Sequence, residues 1–404
     1  MIVSSYVELL KTPGVARIIA AQLTARFPFG MLSLAFLIHI EQAYGSYAVA
    51  GIVLAAMSIG QAIAGPLTSR LMGRWGMRPV ILATLAVCST SIILMALLPL
   101  PIPGLIVIGF VAGLSMPPIQ PAVRTIYPKM VNSRQLTPLF SLDASAQEII
   151  WVLGPVIATF VAIQVSSVAG ILLAAAFLIG GGLWFVSSPE LGRVRIPRSK
   201  RRLGAVLRRP AVLLSTVVGF MLVASCAAVE AGVVASFGHG SADSGWVLAI
   251  FALGSLIGGL ALGHMPIGPW ALAGRMLVVT IGMVLATFFL DFWWLSGTLL
   301  IAGIGIAPAL AVLFGIVSAS VKFSDTAEAY GWVGTGQLIG AALGSAIAGF
   351  MIDHYGAQSA LVVAACFAAL GCIIPALGRR WHPDLRGRDA SPMPDTEPVP
   401  IQAS

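Results

Sequence analysis

Among the polar and charged residues inside the long apolar stretches of this chain, seven are of types and spacing that could do chemistry: Gln22, Arg26, Gln120, Arg124, Asp143, Glu148 and Glu230. An ionisable group at mid-bilayer depth is costly unless it is paired or hydrated, so each is a candidate for chemistry. Gln22 stands four residues before Arg26, and Gln120 four before Arg124, which places each pair on one helix face. An arginine so placed can attract an anionic or polar solute group. A carboxylate alternately buried and hydrated takes up and releases a proton, and Glu148 or Glu230 could do this. Alternatively Glu148 neutralises Arg26 as a structural ion pair, whereas Glu230 has no basic residue in its own apolar run to pair with. Asp143 and Glu148 are five residues apart, ~140° around a helix, and do not form a dyad on one face.

Other chemistries lack their parts. The five histidines lie singly in loops or at run ends, without metal-ligand spacing, so no metal is expected. Cys88, Cys226, Cys366 and Cys372 all fall inside apolar runs and are read as packing residues. None of the four lysines follows a glycine, so no phosphate-cradling loop exists and an ATP-driven pump is excluded for this chain alone. No nucleophile, base and orienter constellation is present, so neither an enzyme nor a cofactor is expected.

The elements that position these residues are membrane helices. Charged residues make up 9% of the chain, apolar ones 58%, and the mean hydropathy is +0.97, far from a water-soluble domain. Apolar runs lie near 17–40, 46–69, 79–100, 104–127, 139–163, 166–187, 210–236, 244–264, 272–290, 294–320, 327–352 and 358–378. Each approaches the ~20 residues that span the hydrocarbon core. The first carries Arg26 and lacks a small-residue cleavage site, so it is expected to remain. The reading is an all-α membrane protein of twelve crossings, with Pro117, Pro118 and Pro308 bending crossings 4 and 10.

The net charge of +8 reports topology rather than nucleic acid, since no soluble domain carries a basic face. With both termini cytoplasmic, the inner loops hold Lys11, Arg17, Arg70, Arg74, Arg78, Arg124, Lys129, Arg134, the Arg193–Arg209 cluster, Arg275, Lys322 and four arginines after 378, and the outer loops hold no Lys or Arg. That asymmetry places the chain as a multi-pass protein of the plasma (cell inner) membrane with both ends inside. Glu41, Asp243, Asp291 and Asp353 fall to the outer loops, and Trp293 and Trp294 to an interfacial belt.

The expected divisions are a six-helix half over 1–187, a basic linker over 188–209, a second six-helix half over 210–380, and a disordered tail over 381–404 with five prolines. The halves repeat. Gly51, Val53, Leu54, Ala55, Gly60, Ile63 and Gly65 recur 194 positions later, and Gln147, Ile149, Leu153, Gly154, Ile157, Ala158 and Phe160 recur 190 positions later, as Pro118 does at Pro308. These segments are rich in small residues that let helices approach closely, as in Gly254, Gly258, Gly259 and Gly263. Two closely fitting halves suit alternating access around a midplane site.

The stretch Ser69-Arg70-Leu71-Met72-Gly73-Arg74-Trp75-Gly76-Met77-Arg78 after crossing 2 resembles the signature loop of the major facilitator superfamily, roughly G-x-L-x-D-R-x-G-x-R. Leu71, Arg74, Gly76 and Arg78 match, while Ser69 and Gly73 replace the glycine and the acid. The resemblance implies two pseudo-symmetric six-helix bundles, a cavity lined by crossings 1, 4, 7 and 10, and a cytoplasmic gate at Arg70, Arg74, Gly76 and Arg78. With the gate acid absent, Arg124 and Asp143 are expected to form a substitute latch. Gly154-Pro155 is a fragment of the glycine-proline motif of drug-exporting members, with Ala158 and Thr159 where a glycine pair would follow. Phe27, Phe29, Tyr330 and Trp332 are available to a lipophilic solute. The expected function is therefore proton-coupled antiport of small amphipathic compounds out of the cytoplasm by a monomer in the lipid bilayer, with import or facilitated passage of a metabolite as the alternative.

Overall fold

The computed structural model describes residues 2–199, 201–237, 242–387 and 390–395. Lys200 and Arg388 of the basic segments, and residues 396–404 of the tail, lie outside them.

The crossings are 1, Val15–Arg26 continued by Pro28–Tyr44; 2, Tyr47–Trp75; 3, Met77–Leu97; 4, Ile102–Leu114 continued by Ile119–Met130; 5, Ser133–Gln164; 6, Ser167–Ser187; 7, Pro210–Phe237; 8, Ala242–Leu262; 9, Ala271–Ala286; 10, Phe292–Ser320; 11, Phe323–Tyr355; and 12, Ala357–Leu377. Eleven are long and apolar enough to span a bilayer. Crossing 9 ends four residues earlier than the apolar run suggests and, at 16 residues, is ~24 Å long. The architecture is the expected one, two pseudo-symmetric six-helix bundles.

Proline places the breaks. Crossing 1 divides at Pro28, which lacks the N–H that an unbroken helix would use, and crossing 4 divides at Ser115–Pro118. Pro308, expected to act alike, leaves crossing 10 unbroken from Phe292 to Ser320. One helix was not anticipated: Ile2–Lys11, ahead of crossing 1, whose Tyr6 hydroxyl donates to the Gly259 carbonyl at 3.2 Å.

The duplication is expressed in packing. A Cβ at Gly60 would strike the Phe110 carbonyl oxygen at 2.3 Å, and a Cβ at Gly254 the Leu300 carbonyl oxygen at 2.4 Å. Gly254 stands 194 positions after Gly60, and Leu300 stands 190 after Phe110. The same small-residue contact thus closes crossing 2 on crossing 4 and crossing 8 on crossing 10. Crossing 5 meets crossing 1 through Gly154, where a Cβ would meet Gly30 Cα at 2.8 Å, and crossing 11 meets crossing 7 through Gly344, where it would meet Ala224 Cα at 2.7 Å. Gly154 of the glycine-proline fragment is required by this contact.

The first helix, the described tail residues 382–387 and 390–395, and the 188–209 linker share one face, here called the termini face. There the halves meet across crossings 2 and 11 and across crossings 5 and 8. The two seams are again equivalent. A Cβ at Gly331 would meet the Gly65 carbonyl oxygen at 2.6 Å, while Ser141, the counterpart of Gly331, donates to the carbonyl of Gly259, the counterpart of Gly65, at 2.6 Å. Thr335 adds a hydrogen bond to the Ala62 carbonyl at 2.7 Å.

The tail differs from its expected disorder over residues 382–387 and 390–395. Leu385 N–H donates to the Ile267 carbonyl at 2.9 Å, Met393 N–H to the Val321 carbonyl at 3.0 Å, and Phe323 N–H to the Met393 carbonyl at 3.0 Å. His382 and Ala390 are buried. Spaced apolar residues between the prolines give the segment enough to bury, a pattern that net composition averages away. Burial also lowers the His382 imidazole pKa, opposed by its hydrogen bond to the Pro383 carbonyl.

Candidate functional site

Crossing 5 carries the central residues. Asp143 lies ten residues from its termini-face end, ~15 Å along the axis, and is fully buried. Its carboxylate takes Arg124 Nε at 3.0 Å on one oxygen, and on the other Gln22 Nε2 at 3.0 Å and Arg26 Nη1 at 3.5 Å. Arg26 also donates to Gln22 Oε1 at 2.8 Å and to Gln147 Oε1. Gln120, with its amide oxygen turned inward, accepts from Arg124 at 2.6 Å and from Arg26 at 3.3 Å. Five of the seven residues singled out in the sequence therefore form one network between crossings 1, 4 and 5, and Gln147 is a sixth member.

Its charges do not balance. Two guanidinium groups share one carboxylate, which leaves one positive charge in excess, and Gln147 Nε2 is a buried donor with no hydrogen-bond partner among the described residues. The network also belongs to one half alone. The positions equivalent to Arg26, Arg124 and Asp143 in the second half are Phe220, Phe314 and Val333. The Arg124 guanidinium lies 3.4 Å from the centre of the Phe314 ring, its own counterpart. Phe314 packs with Phe140 and Tyr330 in an aromatic plug on the termini-face side of the network. Tyr330, held by its hydroxyl to the Phe314 carbonyl at 3.0 Å, is a packing residue of that plug, and Phe27 packs on Phe177.

Glu148 faces elsewhere. Its Oε1 accepts from Ser255 Oγ of crossing 8 at 2.8 Å, so the carboxylate sits on the seam between the halves. The alternative in which Glu148 neutralises Arg26 is not what the structure forms, because Asp143, 140° away on the same helix, takes that place. Glu230 lies twenty residues along crossing 7, ~30 Å from its termini-face end. Glu148 is half-buried and Glu230 exposed, and among the described residues neither has an ion pair.

The sequence profile of the Major Facilitator Superfamily matches residues 18–265 and 224–400, nearly the whole chain. The chain belongs to the Major Facilitator Superfamily. It is a multi-pass membrane transporter, not an enzyme. Among curated proteins no sequence matches it. Three solved structures share its fold at low identity. The human organic anion transporter MFSD10 (TETRAN) is 16% identical, with 89% of this chain and 98% of that one covered at a TM-score of 0.69. A bacterial homologue of the iron transporter ferroportin in the outward-facing state is 13% identical, with 91% and 98% covered at 0.71. The proton:xylose symporter XylE bound to 6-bromo-6-deoxy-D-glucose is 13% identical, with 93% and 97% covered at 0.70.

The superfamily loop has a changed environment here. Gly76, in the left-handed region at φ +92°, allows the abrupt turn from crossing 2 to crossing 3. Arg78 donates to the carbonyl of Ser188, the first residue of the linker, at 3.2 Å, and Arg74 stacks near Trp75, so neither contact reaches the second half. Arg70 alone of the four crosses the seam, reaching Glu328 of crossing 11 at 3.1 Å. Where the superfamily loop has its acid, Gly73 lies beneath the linker, with a Cβ there only 3.2 Å from the Pro197 carbonyl oxygen. The linker completes the contact: Ser199 donates to Asp325 at 2.6 Å, Arg201 lies 3.8 Å from Asp325, Gly204 N–H donates to Glu328 at 2.7 Å, and Arg70 donates to the Arg201 carbonyl.

This corrects the expected latch. Arg124 and Asp143 do pair, but crossings 4 and 5 lie in the same half, so the pair cannot fasten one half to the other. The groups that do so are Arg70, already expected at the gate, and the linker, read as a topology signal, against Asp325 and Glu328, two acids that sequence reasoning passed over. Their signal was a pair of acids three apart in the first two turns of crossing 11, beside a loop lacking its own.

Proposed function

We propose that the protein is a proton-coupled antiporter of the cell's inner membrane that exports small amphipathic compounds by alternating access. The observation that carries this reading is the placement of Glu148 on the seam, hydrogen-bonded to Ser255 of the opposite half. A carboxylate whose partner lies across the moving surface changes its surroundings whenever the halves rock, and a proton bound in one arrangement is released in the other. The positive-inside distribution of Lys and Arg supports taking the termini face as cytoplasmic. On that orientation, the latch closes the cytoplasmic gate and the exposed Glu230 lies toward the outer end of crossing 7.

The excess guanidinium charge beside Arg26 favours an exported solute with an anionic group on an apolar body, and one structural neighbour carries the name of an organic anion transporter. Such a solute would bring its charge to Arg26 and the free Gln147 amide donor while a proton occupies Glu148 or Glu230. No ATP site is needed, since one proton crossing ~100 mV supplies ~2.3 kcal/mol. As single substitutions, Glu148→Gln and Glu230→Gln should each be tested in proteoliposomes under an imposed pH gradient. Coupled, uphill movement of amphipathic anions should be lost in at least one variant while solute counter-flow persists. Uphill movement by the wild type that is indifferent to a protonophore would reject the proton, and accumulation of a metabolite inward would favour the import alternative.

A further inference from the structure

A cavity of about 710 Å³ opens on the termini face of the second half, away from the seam, and is lined by Gly268, Trp270, Ala271, Arg379, Arg380 and Arg386 among others. No acidic residue lines it. Arg386 is neutralised by Asp384, which holds it in a two-oxygen pair at 2.7 Å. Arg379 and Arg380 have no carboxylate partner among the described residues, and their guanidinium groups rest near the rings of Trp270 and Trp381, at 5.1 and 5.4 Å from the centres. One turn into crossing 9 stands Arg275, buried and, among the described residues, hydrogen-bonded only to the Met265 carbonyl. The first turn of crossing 9, with no side-chain cap, opens into the same space.

The tail builds one wall. The Leu385–Ile267 hydrogen bond brings Arg386 across Gly268, where a Cβ would come within 3.3 Å of Arg386 Nε, so the missing side chain is what admits the arginine. The chain flanking the lining is apolar and exposed: Met265 precedes Pro266, Trp270 lines the bowl itself, Trp381 follows Arg380, and Leu377, two residues before Arg379 at the end of crossing 12, is 79% exposed, with Ile373 one turn before it. A cationic bowl with an apolar rim at the level where a membrane helix ends matches a ligand that is anionic at one end and aliphatic at the other.

We infer that this bowl binds the phosphate headgroup of an anionic glycerophospholipid from the leaflet on the termini face, its acyl chains lying along crossing 12 beside Ile373 and Leu377. Arg379 and Arg380 supply the charge, and Trp270 and Trp381 hold their guanidinium planes toward the phosphate. A second basic cavity, beside Arg74 and Arg198, shares its lining with the gate latch and belongs to it.

The test is retention of radiolabelled dioleoylphosphatidylglycerol by the purified full chain in detergent micelles, against a large excess of dioleoylphosphatidylcholine. The wild type should prefer the anionic lipid, and each arginine should account for about fivefold, so that Arg379→Gln with Arg380→Gln loses about 25-fold. Arg379→Lys should retain most of the preference and Trp270→Ala part of it. Equal retention of the two lipids by the wild type overturns the site without any variant. A preference unchanged in the double variant overturns these residues as its cause, and displacement by inorganic phosphate as effective as by the lipid overturns the lipid as the occupant.

Discussion

Removing the carboxylate of Asp143 gives the most direct measure of the buried network. Asp143→Asn keeps the size and one acceptor oxygen but leaves Arg26 and Arg124, previously 3.5 and 3.0 Å from a negative charge, facing each other without one. At an effective dielectric constant of ~20 the two attractions are worth roughly 5 kcal/mol each. The desolvation already spent on burying three charges offsets much of that, and removal of one member of a buried ionic set costs about 3–5 kcal/mol. Arg124→Gln in the Asp143→Asn background removes one of the stranded charges and should recover part of the loss, so the two changes should couple by more than ~1 kcal/mol in a double-mutant cycle. Unfolding midpoints of purified protein in detergent, read for the wild type, both single variants and the pair, provide the measurement. If Asp143→Asn melts with the wild type and the pair is merely additive, the network does not hold its charges in the way argued here.

Glu328→Gln and Arg70→Gln should each weaken the closed termini-face gate and raise labelling of a cysteine placed at Ala62, while the exchange Arg70→Glu with Glu328→Arg should return labelling toward the wild-type rate. Gly331→Val, whose side chain would enter the Gly65 backbone, should prevent that face from closing and abolish transport while the protein still folds, which a cross-link across crossings 2 and 11 reports as a lost product. Gly154→Leu should instead destabilise the first half by separating crossings 5 and 1, at a cost on the order of 2–3 kcal/mol from overpacking. The buried His382 binds a proton more readily once the tail is released, so docking of residues 382–387 and 390–395 should be firm at neutral pH and weaken as pH falls below ~6.5, where the free imidazole charges. A spin label at Pro394 should then gain mobility on acidification, and His382→Phe should remove that dependence.

Much of the fold was legible because a bilayer leaves few alternatives: apolar runs of the right length can only be helices, and the arginines of the loops mark one face. The network was legible for a related reason. Arg26, Arg124 and Asp143 stand out against aliphatic sequence, and the four-residue spacing to Gln22 and Gln120 fixes their faces. Gln147 was visible only as a match in the internal repeat, because a lone amide in a helix carries no such contrast. The latch was harder. Asp325 and Glu328 begin a helix at the polar rim, where acids and bases are ordinary, and pairing them with Arg70 requires knowing that crossings 2 and 11 adjoin. Neither the Ile2–Lys11 helix nor the docked tail could be read from composition, since each gains its order from a surface that the rest of the chain provides.

The linker that covers Gly73 is joined to both halves and also fastens them, through Ser199, Arg201 and Gly204. Its grip on Asp325 and Glu328 is therefore set by local concentration as well as by contact, since a tethered partner rebinds far more often than a free one. Nicking the backbone between Arg193 and Ser199 would leave every bonded pair intact in kind but cut one of the two tethers. A split protein co-expressed as two polypeptides should then reassemble its bundles and rest more often with the termini face open.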